Sequence, residues 1–413
     1  MGSVDGGGSG GVVAPTRRPR DRKAQIVDAA AELFARNGFG AVGIDEIGAA
    51  VGVTGPAIYR HFRSKDALLA TIIEQSVALV DEVTRQAFDD DGADDDGGGE
   101  AGRERDDRDG HLHRAVVATI GAVLGQPALL GTYLRERPAL GAEAAAPFVP
   151  AERAIRRRWQ AAMGHAHPDV DGARAGLRQD AVIGAVNAAA LARRDLAEAP
   201  LTALLADSAM AVIAAPVRAA TPEPERAWSV PRSRRQEILR AALDLFEHRG
   251  FGGVGMDEIG EAAGTSGPAI YRQYDSKADI LVDAFEEAGQ RVAVGVDEAL
   301  RESGSAADAL GRLARSYATV ALESTALITV TEREGLSLPD AERPRIERRA
   351  RAIRDGWAAV ATELRPDLAP VEVRLLVRTA FPLVNGAARG SRRRWAADEL
   401  AGAAEAWILG DQK

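Results

Sequence analysis

Two stretches of the chain carry the same sequence pattern. Residues 44–65 read IDEIGAAVGVTGPAIYRHFRSK, and 212 positions later residues 256–277 read MDEIGEAAGTSGPAIYRQYDSK. In the first stretch, short apolar segments stand on either side of Gly52, which stops a helix and allows a tight turn. Pro56 follows in a first helical turn, where its missing N–H costs little. The pattern predicts a short helix, a glycine turn and a second short helix, which together form a helix-turn-helix.

A longer helix is predicted in front of each motif, and another one behind it. Apolar residues recur at helical spacing from Ile26 to Phe34, and Gly38 follows as a helix stop. Ser64 is placed to cap the helix that begins directly after it. Each motif therefore belongs to a three-helix head.

The whole unit is duplicated, and its head has stayed more similar than its body. Arg22–Leu69 aligns without a gap to Arg234–Leu281, with about half of the positions identical. Farther along the chain the matches, such as Trp159 with Trp357, lie 198 positions apart instead of 212. The first copy is longer by that difference, and the insertion falls in an acidic, Asp- and Gly-rich segment.

The repeat predicts an all-α chain of two tandem units. The expected division is a disordered tail (1–16), a first head (17–66), a first helical body (67–216) with an acidic loop (88–110), a linker (217–231), a second head (232–278) and a second body (279–413). The linker contains three prolines among polar residues, which favours an extended spacer of about 3 Å per residue.

Composition supports a helical protein and excludes several classes. The 413 residues are 46% hydrophobic, enough for packed cores, and only 5% aromatic. Cysteine is absent, which excludes disulfides, thiolate nucleophiles and cysteine zinc sites. Residues 1–11 lack the apolar core of a signal peptide, and no run of about 18 apolar residues suggests a membrane span. We therefore expect a cytoplasmic protein that does not contact a membrane.

The net charge of −9 conceals an uneven distribution of charge. Much of the acid lies between Asp89 and Asp109, whereas Arg17–Lys23 forms a basic cluster directly before the first helix. Docking on phosphate depends on the local charge of the contact surface more than on the global sum. Nucleic-acid binding is therefore compatible with the acidic total.

The heads resemble the TetR/AcrR family of bacterial transcriptional regulators. The matching string runs from Phe39 to Leu69, and it recurs between Ile259 and Lys277. The resemblance implies two TetR-like units, each with a helix-turn-helix head and a helical body for ligand binding and dimerisation. It also implies a sequence-specific DNA-binding regulator, expected here to be a ligand-responsive repressor whose heads occupy successive major grooves.

The resemblance assigns DNA contacts to residues of both heads. The expected DNA-binding residues are Arg22, Thr54, Gly55, Pro56, Ala57, Tyr59, Arg60, His61 and Lys65 in the first head, and Arg234, Ser266, Gly267, Pro268, Ala269, Tyr271, Arg272, Gln273 and Lys277 in the second. The start of the third helix approaches base edges, while Tyr59, His61 and Lys65 contact phosphates.

The sequence departs from the family pattern at a few of these positions. Gly43 and Gly255 stand where members usually carry a phosphate-binding Thr or Ser. In the second head, Gln273 takes the place of His61, and an acidic residue, Asp275, stands where the first head has an arginine. We expect the second head to bind DNA more weakly.

Other interpretations compete with this one. Gly38–Gly43 matches G-x-G-x-x-G, but a helix instead of a strand precedes it, so no dinucleotide site is expected. The histidines of His111–His113 and His165–His167 do not recur in the second copy, and we interpret them as surface residues. No nucleophile–base set is repeated, so we predict no enzyme, no metal and no cofactor. A DNA-binding architectural protein without an inducer is the alternative function.

The bodies and their duplication suggest partners for the chain. Arg135 and Arg333, each followed by Glu, occupy equivalent places and are candidates for holding an anionic group of a small-molecule effector. A structural salt bridge is the other interpretation, and the one we favour. The expected partners are a double-stranded DNA operator and that effector. We expect the two units to form an intramolecular pseudo-dimer, which we favour over a homodimer with four heads.

Overall fold

The computed structural model describes residues 22–89, 101–137, 140, 142–168, 172–192, 196–216, 233–265, 267–390 and 395–410. Within these ranges the chain is helical and contains no strand, so the all-α prediction is confirmed. The predicted linker and the N-terminal tail lie outside the described residues.

The helices fall into two sets with the same order. The first unit contains α1 (Arg22–Asn37), α2 (Ile44–Ala50), α3 (Gly55–Ile58), α4 (Lys65–Asp89), α5 (Ala101–Gly125), α6 (Pro127–Glu136), α7 (Ala142–Ala145), α8 (Val149–Ala166), α9 (Gly172–Ala192) and α10 (Glu198–Ala214). The second contains α11 (Arg234–Arg249), α12 (Met256–Ala262), α13 (Gly267–Ile270), α14 (Lys277–Glu302), α15 (Ala306–Glu323), α16 (Thr325–Arg333), α17 (Arg343–Leu364), α18 (Pro370–Gly390) and α19 (Ala397–Leu409).

The first head is held by a small apolar core. Ile26 and Phe34 of α1, Ile47 of α2 and Ile58 of α3 are each fully buried. Burying side chains of this size contributes about 1.5–3 kcal/mol each, which fixes three short helices that would not be stable alone. The helix stops lie where the sequence predicts them, since Gly38 has φ of 81°.

The turn of the helix-turn-helix depends on two glycines. A Cβ on Gly48 would lie 2.8 Å from the backbone oxygen of Val53, and one on Gly55 would lie 2.0 Å from the carboxylate of Asp45. A larger residue at Gly48 would push the turn away from α2, and one at Gly55 would displace the Asp45 side chain. The close approach of these helices therefore explains why glycine stands at both positions.

The last two helices of each unit form one four-helix bundle. Helix α9 lies against α18 and α10 against α19, while α9 contacts α10 and α18 contacts α19 within their own units. The apolar core is continuous through this bundle. Inside it, the Trp407 indole N–H donates to Thr379 Oγ1 at 2.9 Å, which ties α19 to α18.

Helices α9 and α18 approach each other closely at a pair of glycines. A Cβ on Gly184 would lie 2.9 Å from the backbone oxygen of Pro382, and one on Gly386 would lie 3.1 Å from that of Asp180. The Cα atom of either glycine lies 3.9 Å from the Cβ that the other would carry. The two units therefore meet almost backbone to backbone at this point.

Two sequence expectations need correction. The acidic loop predicted for 88–110 is wrong at both of its ends, because α4 runs to Asp89 and α5 begins at Ala101; the positions between them lie outside the described residues. The segment 101–109 contains alanine, glutamate and arginine, which favour a helix, and this outweighs its acidic character. His167, interpreted as a surface residue, is 7% exposed and its Nε2 lies 3.7 Å from Asp109 Oδ1.

Among the described helices, none alone is long and apolar enough to cross a bilayer; Asp109–Gly125 and Pro127–Glu136 pass such a test only together, across a 95° bend. No group of three or more potential metal-ligating side chains occurs within the same residues.

Candidate DNA interface and body cavities

Equivalent tyrosines stand out on the surfaces of the two heads. Tyr59 is 54% exposed and Tyr271 is 51% exposed, although large apolar side chains are otherwise rarely exposed in the described residues. In the first head, Arg60 and His61 beside Tyr59 are also exposed. An exposed aromatic ring within a basic surface has no packing role, so this face is available for a partner.

The start of α3 presents polar groups beside the tyrosine. Thr54 and Pro56 are exposed, Ala57 is half-buried and the small Gly55 is buried against α2. Thr54 occupies the N-cap position of α3, but its hydroxyl makes no capping hydrogen bond. That hydroxyl is free to bind a phosphate.

The second head repeats this arrangement only in part. Arg272 is exposed, while Ala269 and Gln273 are half-buried. Arg235 donates to the backbone oxygen of Gln273 at 2.8 Å and to Asp283 at 2.9 Å, and its guanidinium lies 4.1 Å from the ring centroid of Tyr274. Ser266 lies outside the described residues, as do the side chains of Gly267 and Pro268.

Lys65 and Lys277 hold the loop that connects the first two helices of each head. Lys65 Nζ donates to the backbone oxygens of Phe39 and Val42 at 2.7 and 2.9 Å, and Lys277 makes the equivalent bonds at 2.7 and 2.8 Å. Burial lowers the pKa of Lys65, against the opposing effects of Asp66 and Glu136. Two of the three ammonium donors are thus used inside the head, which leaves one for a phosphate.

Arg22 and Arg234 reach the C-terminal ends of α2 and α12. Arg22 Nη1 donates to the backbone oxygen of Val51 at 3.1 Å, and Arg234 Nη1 donates to that of Ala263 at 3.3 Å. Both arginines are exposed. Each therefore lies close to its helix-turn-helix turn, where a positive charge also favours the end of the helix dipole.

The heads are tied to their bodies by a glutamate. The backbone N–H of Phe39 donates to Glu136 Oε1 at 3.1 Å, and that of Phe251 donates to Glu334 Oε1 at 3.1 Å. Burial raises the pKa of Glu136, with the Phe39 N–H acting in the opposite direction. Sequence reasoning singled out the arginine of each Arg–Glu pair and missed the glutamate, although the repeated pair was the available signal.

Arg135 and Arg333 are not among the residues that line the body cavities. Arg333 Nη1 donates to the backbone oxygen of Glu247 in α11 at 3.1 Å. Arg135 Nη1 is buried and has no hydrogen-bond partner in the described part of the chain. Both arginines lie at the junction of head and body, and an effector contact for them stays a prediction.

The first body encloses a large apolar cavity. Its volume is about 620 Å³, within the range of small-molecule sites. The apolar lining residues include Val77, Val80, Val116, Ile120, Val123, Leu130, Ile155, Trp159, Met163, Val182, Val186 and Ile213. The second unit contributes Gly386 and Arg389 of α18 to the same wall.

One end of this cavity is polar. Glu152 accepts two hydrogen bonds from Arg137, both at 2.8 Å, and one from the Tyr133 hydroxyl at 3.0 Å. Arg156 makes a two-bond contact with Asp180 at 3.0 and 3.1 Å, and burial raises the pKa of that carboxyl. Tyr133, Arg137 and Glu152 are not repeated in the second unit, so comparing the copies could not reveal them.

A second cavity of about 300 Å³ lies in the second body. Three aromatic side chains pack beside it: the ring centroids of Tyr317 and Phe381 are 4.7 Å apart, and those of Trp357 and Phe381 are 5.1 Å apart. The Tyr317 hydroxyl donates to Asn385 Oδ1 at 2.8 Å. This cavity is smaller because aromatic rings occupy the space.

Comparison with known proteins assigns the heads to a family. The family model of the bacterial regulatory proteins of the tetR family matches residues 26–72 and 238–284. Both heads therefore match the same family model, and the resemblance and the tandem duplication predicted from the sequence are confirmed. The class that this match indicates is the DNA-binding regulatory domain, present in both heads.

Individual relatives match short stretches of the chain. The chain is 39% identical over 73 residues to the HTH-type transcriptional activator FasR of Mycolicibacterium smegmatis, which covers 17% of this chain and 33% of that protein. It is 37% identical over 59 residues to the uncharacterized HTH-type transcriptional regulator YerO of Bacillus subtilis, covering 14% of this chain and 20% of that protein. The matches thus span a third or less of either relative.

Solved structures align with somewhat less than half of the chain. The ketosteroid transcriptional regulator KstR2 of Mycobacterium tuberculosis aligns with a TM-score of 0.40 and 20% identity, over 45% of this chain and 97% of that one. A TetR-family regulator from Bordetella parapertussis aligns with a TM-score of 0.41 and 18% identity, over 44% of this chain and 97% of that one.

Proposed function

We propose that the chain is a ligand-responsive repressor that binds its operator as an intramolecular pseudo-dimer. Its two heads read two half-sites in successive major grooves, about 34 Å apart along the DNA. An effector in the first body changes the relation between the heads and releases the operator. The residues proposed to contact DNA are those of α3 and α13 with the flanking Arg22, Arg234, Lys65 and Lys277.

The observation that carries this proposal is the bundle of α9, α10, α18 and α19. It joins the two bodies inside one chain, with the apolar core running through it. Because both heads are attached to one bundle, each head has a higher effective concentration at its half-site than a separate head would have. Because the heads differ in sequence, the operator they fit is an imperfect palindrome.

The test is a titration of the whole protein onto DNA from its own upstream region. Specific binding should persist against random competitor DNA at physiological salt, and the protected region should span two half-sites. Replacing either half-site with random sequence should weaken binding, more strongly for the half-site read by the first head. Binding that disappears with salt and competitor would leave only nonspecific phosphate contacts and would contradict the proposal.

Two other candidates differ from this one in regulation. An architectural DNA-binding protein has no use for a body cavity of about 620 Å³, so the cavity favours an effector. A role as an activator is supported by the similarity of 73 residues to FasR, an HTH-type transcriptional activator. A reporter gene behind the operator separates these roles: expression should rise when the protein is removed if it represses, and fall if it activates.

A further inference from the structure

The geometry points to a single effector site per chain, in the first body, for a mostly apolar molecule that carries one anionic or hydrogen-bond-accepting group. We infer that aromatic side chains fill the equivalent site in the second body, and that the second body serves only to pack against the first. This inference rests on the proposed ligand-responsive function. It predicts one effector for two heads, where a symmetric pair of units would bind two.

Two substitutions between the copies account for the loss of space. Thr119 and Ile183 line the first cavity, and 198 positions later the same places hold Tyr317 and Phe381. Those two rings stack edge to face in the second body, with their planes at 86°. Trp159 lines the first cavity, whereas its counterpart in the second body, Trp357, is covered by the ring of Phe381. The larger rings fill the second body, and its cavity is about 300 Å³ against 620 Å³ in the first.

The polar end of the first cavity is also missing from the second body. The positions of Tyr133 and Glu152 hold Thr331 and Ala350, and Asp180 is replaced by an arginine, Arg378. In the first body, the guanidinium of Arg156 at this end is paired with Asp180. In the second body, its counterpart Arg354 lies near Arg378. The pKa of Arg354 is lowered by burial and, to a smaller extent, by the like charge of Arg378. A ligand held by the first set of contacts would not find them in the second body.

Two buried polar atoms in the first cavity are without partners. Trp159 Nε1 and Gln179 Oε1 make no hydrogen bond within the described part of the chain, and the two side chains are only 4% exposed. Leaving such groups unsatisfied costs free energy, so a bound molecule that supplies an acceptor to the indole N–H would be favoured. Both residues line the cavity together with its apolar wall.

The second unit closes this cavity. Gly386 and Arg389 of α18 form part of its lining, next to the point where Gly184 meets Pro382. Arg389 is anchored in its own unit by an ion pair with Glu332 of α16. One molecule in the first body therefore touches both units, and a single binding event can act on both heads.

The test counts binding sites with the dye 1-anilinonaphthalene-8-sulfonate, which combines an apolar ring system with one anionic acceptor group. Calorimetric titration of the full chain should give one dye molecule per chain. The double variant Thr119→Tyr/Ile183→Phe, which copies the second body into the first, should lower the affinity at least tenfold. If that variant fails to unfold cooperatively, Ile183→Phe alone carries the same test.

Two controls make the outcome specific. Thr362→Tyr places the same side chain on an exposed helical threonine with the same local hydrogen bond as Thr119, and should change nothing. Thr331→Tyr narrows the second cavity and should also leave binding unchanged. Two equivalent sites, no dye binding, unaltered affinity in the double variant, or loss of binding in Thr331→Tyr would each overturn the inference. Operator binding is measured separately, without the dye. Loss of operator binding would contradict the proposed function, whereas the number and affinity of the dye sites test only this inference.

Discussion

At the scale of single residues, each head presents one exposed tyrosine beside an arginine. Tyr59 and Tyr271 are equally exposed, but their surroundings differ. Tyr59 is followed by Arg60 and His61. Tyr271 is followed by Arg272 and the uncharged Gln273, whose backbone oxygen already accepts a hydrogen bond from Arg235. The surface around Tyr59 therefore offers a phosphate more positive charge, and its polar groups are less engaged in hydrogen bonds within the head.

We predict that Tyr59→Ala weakens operator binding more than Tyr271→Ala does. A hydrogen bond to a charged group contributes about 1.5–3 kcal/mol, so losing the Tyr59 contact should cost roughly tenfold or more in Kd. Fluorescence anisotropy on one operator at fixed salt measures both variants. Tyr59→Phe is the matched control, because it keeps the ring and removes only the hydroxyl. Equal losses for the two alanine variants would show that the heads contribute alike.

The residues of the heads were predictable from the sequence, and those of the cavity were not. Gly52 and Ser64 act within a few residues of themselves, so local patterns place them correctly. The cavity instead depends on pairs such as Thr119 and Ile183, which come together only when distant helices pack. A sequence repeat marks what both copies share, and this site is made by residues in which they differ.

At the scale of helices, α6 connects the cavity to the head. Leu130 and Tyr133 on one side of it line the cavity. On another side, the Thr132 hydroxyl donates to the backbone oxygen of Ala31 in α1 at 3.0 Å, and Glu136 accepts from the Phe39 N–H. A shift of α6 caused by a ligand would therefore move its contact with α1 and its contact with the loop that precedes α2.

The contact between α9 and α18 leads to a prediction about two helical glycines. Gly184→Ala should destabilise the protein by about 1–3 kcal/mol, because its Cβ would lie 2.9 Å from the rigid backbone oxygen of Pro382. Gly121→Ala, in α5, meets nothing within 4 Å and should stabilise by up to about 1 kcal/mol through helix propensity. Denaturant unfolding of both variants measures the two free energies. A gain in both would mean that α9 and α18 do not pack this closely in solution.

At the scale of the whole molecule, the bundle pairs the bodies of the two units within one chain. Helices α9 and α10 pack against α18 and α19 of the same chain, and Trp407 of α19 is fully buried in this bundle. In the proposed pseudo-dimer, these helices already have their partner helices inside the chain. One chain then supplies both heads, and its two bodies are free to diverge because each has a single, permanent partner.

This arrangement predicts a mass of 43.5 kDa for the dominant species in light scattering, one chain and two heads. The mass should not rise as the protein concentration is increased, because the partner unit is already attached. On a DNA fragment with one operator, the complex should contain a single chain per duplex. A dominant mass of twice 43.5 kDa would instead indicate a homodimer with four heads. In that case α9 and α10 would pair with another chain, and the operator would need four half-sites to engage every head.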